Sequence, residues 1–420
     1  MRPIRSVFLV AAFLGIALSS CKKDEPTSPG GPGGPATING RVLSALRAPV
    51  PNVPVVVLGK PPVSTDASGR FSIPGVTPPY TIVVVNAVQL EVFVFQGVTR
   101  PDPTLTYLGI GFDTSRSASF SGTLHGGTYP QPQDHETVLG FDSPEVGGFF
   151  NTALDSAFAI TFGWNGPTSV TGTVHALQWQ LTRDGLPSTY KGYGSIANVA
   201  LTNGGSVTGA NINLSSPGDT TASGTVTIPN GYTQQSRWLG LRAGQNFTVV
   251  VGSDQSTTPG FNYTVPRTML TPHLQVVISS PGSEVNYYKT LTRGSGNAVT
   301  IPQSTQLILP LNAATDVDTS TVFSWTPFSG AVYRATFAGQ SAGSPSYIIL
   351  TSGTSVSIPD LTSIGLGLPT SASYAWGVFA FSPVAGVDGG TGPEGYLAVD
   401  GPSGDGGYSH AFSRSFTTRH

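Results

Sequence analysis

Ser64-Thr-Asp-Ala-Ser-Gly-Arg-Phe-Ser-Ile-Pro-Gly-Val76 reads as a tight turn running into a strand. Asp66 can hydrogen-bond the backbone ahead of it, and Gly69 tolerates a positive φ. Beyond the turn, Phe71 and Ile73 alternate with polar residues and so share one face. Upstream, Thr37 to Leu43 alternates with Ile38 and Val42 on one face, and Val53 to Leu58 is an apolar run bounded by Pro and Gly. Downstream, Tyr80 to Val85 and Val92 to Phe95 are two further apolar strands. Short strands with turn signals between them predict an all-β fold of tandem β-sandwich modules.

Five segments carry a resemblance: Ile38-Asn-Gly-Arg-Val42, Pro54-Val-Val-Val57, Thr65-Asp-Ala-Ser-Gly-Arg-Phe71, Pro74-Gly-Val76 and Tyr80-Thr-Ile-Val-Val84. In this order they resemble the carboxypeptidase regulatory-like domain, a small transthyretin-like β-sandwich, over residues 37–106. Thr77-Pro-Pro79 departs from the Gly usual in that family. The resemblance implies a spacer or adhesive unit with no catalytic residues of its own, and Asp66 reads as a turn former rather than a metal ligand.

The last module, 301–420, opens at Gln306-Leu-Ile-Leu-Pro310. Phe323-Ser-Trp325, Gly330-Ala-Val-Tyr333, Ser373-Tyr-Ala-Trp-Gly-Val-Phe379 and Phe412-Ser-Arg-Ser-Phe-Thr-Thr418 resemble strands of a fibronectin type III-like domain. That resemblance implies a core Trp on each of two strands, Trp325 and Trp376. The Gly-rich loop from Ser382 to Ser409 is longer than the family's.

Residues 107–300 resemble no family and read as one or two further sandwiches. Phe120-Ser-Gly-Thr-Leu124, Val170-Thr-Gly-Thr-Val174 and Ala222-Ser-Gly-Thr-Val226 echo Ile38-Asn-Gly-Arg-Val42 at irregular spacing. They read as similar edge strands of successive sheets rather than a repeat array. Asp184-Gly185, Asn203-Gly204-Gly205 and Ala243-Gly244 mark hairpin turns.

Composition agrees. The 420 residues include 53 Gly and 35 Pro, which break long helices, while 38% are hydrophobic, enough to build cores. Charged residues are only 10%, with 20 Lys+Arg against 22 Asp+Glu. A surface this poor in cations cannot displace many phosphate counterions, which argues against nucleic acid as a partner.

The first twenty residues read as a targeting segment. Arg2 and Arg5 precede an uncharged apolar run, Val7 to Leu18, too short to span a bilayer. Leu18-Ser-Ser-Cys21 resembles a bacterial lipobox, which implies cleavage before Cys21 and acylation of that residue. Cys21 is the only cysteine, so no intramolecular disulfide forms. Lys22 follows it, not the Asp that resembles an inner-membrane retention signal, which favours the outer membrane in a Gram-negative host. Residues 21–36, with Pro26-Thr-Ser-Pro-Gly-Gly-Pro-Gly-Gly-Pro35, read as a lipidated Cys and a flexible tether.

Several residue patterns associated with chemistry occur in the chain, but without the context that the chemistry needs. Gly339-Gln-Ser-Ala-Gly343 fits a nucleophile elbow, with Asp388 and His410 following in hydrolase order, but a strand and not a helix follows Ser341. His125, His135, His175, His273, His410 and His420 show no zinc-protease spacing. Asp134-His135-Glu136 reads as an exposed loop, and His175 as a core or boundary residue. Asp388, Glu394, Asp400 and Asp405 in the long loop, with Asp316 and Asp318, are weak calcium candidates outside any EF-hand spacing. Tyr190, Tyr193, Tyr287, Tyr288 and Tyr396 are candidates for stacking on sugars. No cofactor and no resident metal is expected. The sequence thus reads as a non-catalytic, membrane-anchored cell-envelope lipoprotein, a structural or binding scaffold for protein or glycan ligands. The alternatives are a glycan-binding accessory of a polysaccharide-uptake system and a hydrolase with its site in 107–300.

Overall fold

The computed structural model describes residues 34–44, 48–107, 115–143, 149–165, 167–244, 247–393 and 405–420. Cys21, the leader and most of the tether lie outside them. The described chain is all-β, in paired sheets that bury their apolar faces against one another.

The first unit has seven strands: β1 (Ala36–Ser44), β2 (Pro54–Val57), β3 (Val63–Ser64), β4 (Arg70–Val76), β5 (Tyr80–Asn86), β6 (Glu91–Val98) and β7 (Thr104–Tyr107). One sheet runs β4-β1-β7, the other β3-β2-β5-β6. The turn at Asp66 forms because its Oδ1 accepts the backbone N–H of Ser68 and of Arg70, both at 2.8 Å.

The second unit follows with β8 (Ser115–His125), β9 (His135–Asp142), β10 (Phe149–Thr152), β11 (Ala157–Asn165), β12 (Ser169–Leu181), β13 (Pro187–Thr202) and β14 (Ser206–Asn213). The third has β15 (Asp219–Thr227), β16 (Thr233–Ala243), β17 (Phe247–Asp254), β18 (Gly260–Pro266), β19 (Thr271–Ser280), β20 (Ser283–Thr290) and β21 (Gly294–Thr300). Their sheets are β11-β8-β14 with β10-β9-β12-β13, and β18-β15-β21 with β17-β16-β19-β20. All three units therefore share one topology. The first strand of each lies between the fourth, antiparallel to it, and the seventh, parallel to it.

This topology explains the recurring pentapeptide and corrects its reading. Ile38–Val42, Phe120–Leu124 and Ala222–Val226 lie on β1, β8 and β15, the central strands of their sheets and not edges. Val170–Val174 lies on β12, the fifth strand of its unit, which sits between β9 and β13 and so is not an edge either. At the shared position Gly40 faces Phe71, Gly122 faces Phe158 and Gly224 faces Phe261. A Cβ on Gly122 would meet the Ala210 carbonyl oxygen at 1.6 Å, and one on Gly224 the Asn297 carbonyl oxygen at 1.8 Å. Only glycine lets the incoming seventh strand pass this close.

The fourth unit comprises β22 (Leu307–Leu309), β23 (Ala314–Val317), β24 (Phe323–Trp325), β25 (Val332–Gly339), β26 (Ser346–Thr351), β27 (Ser355–Val356), β28 (Ser373–Ser382), the short helix α1 (Gly386–Gly390) and β29 (Gly406–Thr418). One sheet is β22-β24-β27; the other runs β26-β25-β28-β29, with β23 beside β29. Trp325 and Trp376 are both buried between them.

Neither long edge of this last sheet is free. β26 pairs in parallel with β6 of the first unit, and β29 pairs antiparallel with β20 of the third. The result is a single 13-stranded sheet through three units. Its two faces belong to different cores at the first unit. Ile82, Val84, Phe93 and Phe95 face β1, β4 and β7, in a core that also takes Val332, Leu350, Phe381 and Val387. Val83, Val85, Val92 and Val94 face the opposite way, into a larger core shared with the third and fourth units. Burial on both faces is why 82–85 and 92–95 are unbroken apolar runs.

Candidate functional site

Period-two alternation on β1 and β4 sends Ile38, Phe71 and Ile73 inward and Asn39, Arg41, Arg70 and Ser72 outward. Arg41 stands directly opposite Arg70. Arg100, in the turn before β7, is the third guanidinium of the group. Together with Asn39, Asp102 and Pro393 they line an open groove of about 230 Å³.

The fourth unit supplies the groove's far wall. Thr104 donates its N–H to the Thr391 carbonyl at 2.9 Å. Arg41 donates Nη2–H to the Pro393 carbonyl at 2.7 Å and Nε–H to Thr104 Oγ1 at 3.2 Å. Asp102 is the carboxylate of the groove, and Arg100 claims it through Nε and Nη2, at 2.9 and 2.8 Å. No sequence motif marks this group. Its signal was an outward Arg on each of two neighbouring strands, legible only once their register was known.

The residues singled out from sequence lie elsewhere and apart. Ser341 sits in the turn between β25 and β26, its Oγ accepting the Ser373 N–H at 3.1 Å. His410 lies opposite Phe379, six residues along β28 from Ser373, or about 20 Å at strand rise. Its ring stacks on Phe379 at 3.9 Å, with Arg334 over the same Phe at 4.5 Å. Burial and then the Arg334 charge hold its pKa below the ordinary value. Asp388 accepts the Thr99 N–H at 2.8 Å and the Thr99 hydroxyl. The serine, aspartate and histidine therefore form no relay.

Among the described residues the calcium candidates do not converge either. Asp405 accepts the Thr290 N–H at 2.7 Å and an ion pair from Lys289. Burial pushes its carboxyl up, but Lys289 and the Thr290 backbone hold it below its usual range. Asp318 Oδ1 accepts from Ser320 N at 2.9 Å, closing a local turn, and Asp316 holds a positive φ of 57°. Glu394 and Asp400 lie outside the described residues. Among the described residues no three His, Cys, Asp or Glu side chains gather around a common point.

One of the histidines brings a correction. His135 is not in an exposed loop: it opens β9, is buried, and its Nδ1 lies 2.9 Å from Asp134 Oδ1. Hydrogen bonds from His135 and then Gln180 lower the Asp134 pKa. His175 is buried, with Nδ1 2.8 Å from the Tyr193 hydroxyl and its ring stacked on Phe247. The candidate tyrosines among the described residues are engaged by the protein itself. Tyr190 is buried and donates to the Thr264 carbonyl, Tyr193 is engaged by His175, and Tyr287 packs on the large core. Gln275 donates to the Tyr288 hydroxyl at 2.9 Å, and Tyr396 lies outside the described residues.

The fold defines an all-β protein of packed sandwiches. No protein-family model matches the chain, and no curated protein does. Similar solved structures include the Bacillus anthracis TIE protein, at 9% identity over 64% of this chain and 50% of that one, with a TM-score of 0.16. BcpA, the major pilin subunit of Bacillus cereus, is 8% identical over 64% of this chain and 98% of its own, TM-score 0.14. The pilus adhesin SpaC from Lactobacillus rhamnosus GG, in an open conformation, is 10% identical over 78% of this chain and 44% of its own, TM-score 0.15. The chain spans half the length of the first of these. Superposition this shallow says nothing about activity or partners.

Proposed function

We propose that the chain is a membrane-anchored, non-catalytic lipoprotein of the cell envelope, acting as a structural or binding scaffold. Its first unit is then a carboxypeptidase regulatory-like module and its last a fibronectin type III-like one. The observation that carries the scaffold reading is the 13-stranded sheet. Edge hydrogen-bonding groups, which in separate modules would face water, are spent on locking the first and third units to the fourth. Such a chain presents fixed surfaces instead of swivelling beads. The anchor rests on Leu18-Ser-Ser-Cys21 and the tether after it. More than one acyl chain gives stable attachment where a single chain would not.

The test of the anchor is fractionation of cells expressing the full chain or its Cys21→Ala variant. The wild type is expected in the membrane pellet and the variant in the soluble fraction. A variant retained in the pellet overturns the anchor.

A further inference from the structure

We propose that the groove formed by Arg41, Arg70 and Arg100 binds an oxyanion, the carboxylate or phosphate of a small charged group. The first support is electrostatic. Like charges directly opposite on paired strands destabilise a sheet, yet Arg41 faces Arg70. Among the described residues, the nearby acids are bonded elsewhere. Asp102 is held by Arg100, and Asp66 spends its Oδ1 on two backbone N–H groups of its own turn. Among the described residues no carboxylate pairs with Arg41 or Arg70.

The second support is internal to the molecule. The same register position in the other two units of identical topology is occupied by Thr123 opposite Ala157 and by Thr225 opposite Gly260. The scaffold closes there with small neutral residues, so folding does not demand two arginines. They are a property of the first unit alone, in a chain with only 20 Lys+Arg.

The third support is preorganisation. Thr104 and the Pro393 carbonyl fix the Arg41 guanidinium through Nε and Nη2, and among the described residues Nη1 has no partner. Arg70 is exposed and free to close on a ligand from the opposite strand. Two guanidiniums offer the forked N–H pairs that match a carboxylate or phosphate. The volume, about 230 Å³, lies below the range of pockets that enclose a drug-sized molecule. It suits one charged group at a time.

The test uses calorimetric titration of the full chain with sodium phosphate, sodium sulfate and sodium glucuronate, ionic strength being held with chloride. Saturable binding of at least one probe is expected, weakened at least tenfold in Arg70→Gln and in Arg41→Gln. Arg70 is exposed, so its variant is expected to melt no lower than the wild type without anion. Preference for glucuronate assigns the groove to planar carboxylates such as those of acidic sugars; preference for phosphate or sulfate assigns it to tetrahedral groups. Absence of saturation up to about 50 mM, a range that covers very weak affinities, overturns the proposal. So does binding that is unchanged in both Gln variants. Neither outcome touches the anchor, which rests on Cys21.

Discussion

Leu350 of the fourth unit lies beside Phe95 of the first in parallel register, and both side chains are buried in the first unit's core. A residue more than 250 positions downstream in sequence thus completes a sandwich that looked self-contained. The same unit closes the third unit from its other edge, where Val285 pairs with Ser409.

Leu350→Ala is therefore expected to destabilise by about 2–5 kcal/mol, the usual cost of a buried Leu-to-Ala cavity. Because the cavity opens in a core shared by two units, urea unfolding followed by tryptophan fluorescence and by circular dichroism should shift as one transition. An early transition confined to part of the signal would show that the units fold independently.

Glycine at the crossing of the first and seventh strands is a steric requirement. Gly122→Ala and Gly224→Ala place a Cβ against backbone carbonyls that cannot move aside. Each is expected to cost at or above the upper end of the about 1–3 kcal/mol typical of overpacking. Gly260→Ala, with nothing within 4 Å of its Cβ, serves as the control and should be nearly neutral. Melting temperatures of the three variants check the ordering.

His273 gives the chain an acid sensitivity. Burial and then the Arg242 charge push its pKa from 6.5 down to about 3. The folded state holds the ring neutral while the unfolded state protonates it below pH 6.5, so the unfolded state gains protons first. Stability attributable to this site is complete above pH 6.5 and falls as the pH drops toward 3. The loss between pH 8 and pH 5 is about 2 kcal/mol at about 1.4 kcal/mol per unit. Denaturation series across that range should be steeper for the wild type than for His273→Gln. Parallel curves would remove His273 from the account.

Arg237 is fully buried, with Nη2 2.7 Å from Asp254 Oδ2 and Nη1 donating to the Thr258 carbonyl at 3.0 Å. Asp254 also accepts from the Tyr263 hydroxyl at 2.7 Å. Asp254→Ala strands the guanidinium and is expected to cost about 3–5 kcal/mol. Adding Arg237→Met should recover much of that loss, since the stranded charge is then gone. A double variant no more stable than Asp254→Ala would contradict this assignment.

The sequence by itself determined the local elements. Alternation marked β1 and β4, Asp66 and Gly69 marked the turn between β3 and β4, and Phe323, Trp325 and Trp376 marked core strands of the last unit. These are short-range signals, set by side-chain period and by the backbone freedom of single residues. The unbroken runs at 82–85 and 92–95 even recorded that both faces of that sheet are covered. What only the tertiary structure decided was pairing across distance. The common seven-strand order of three units, the shared sheet and the meeting of Arg41 with Arg70 all depend on which edge meets which. Edge groups are the same N–H and C=O in every strand, so no residue type announces its partner. Register and packing select it, and they exist only in the folded chain.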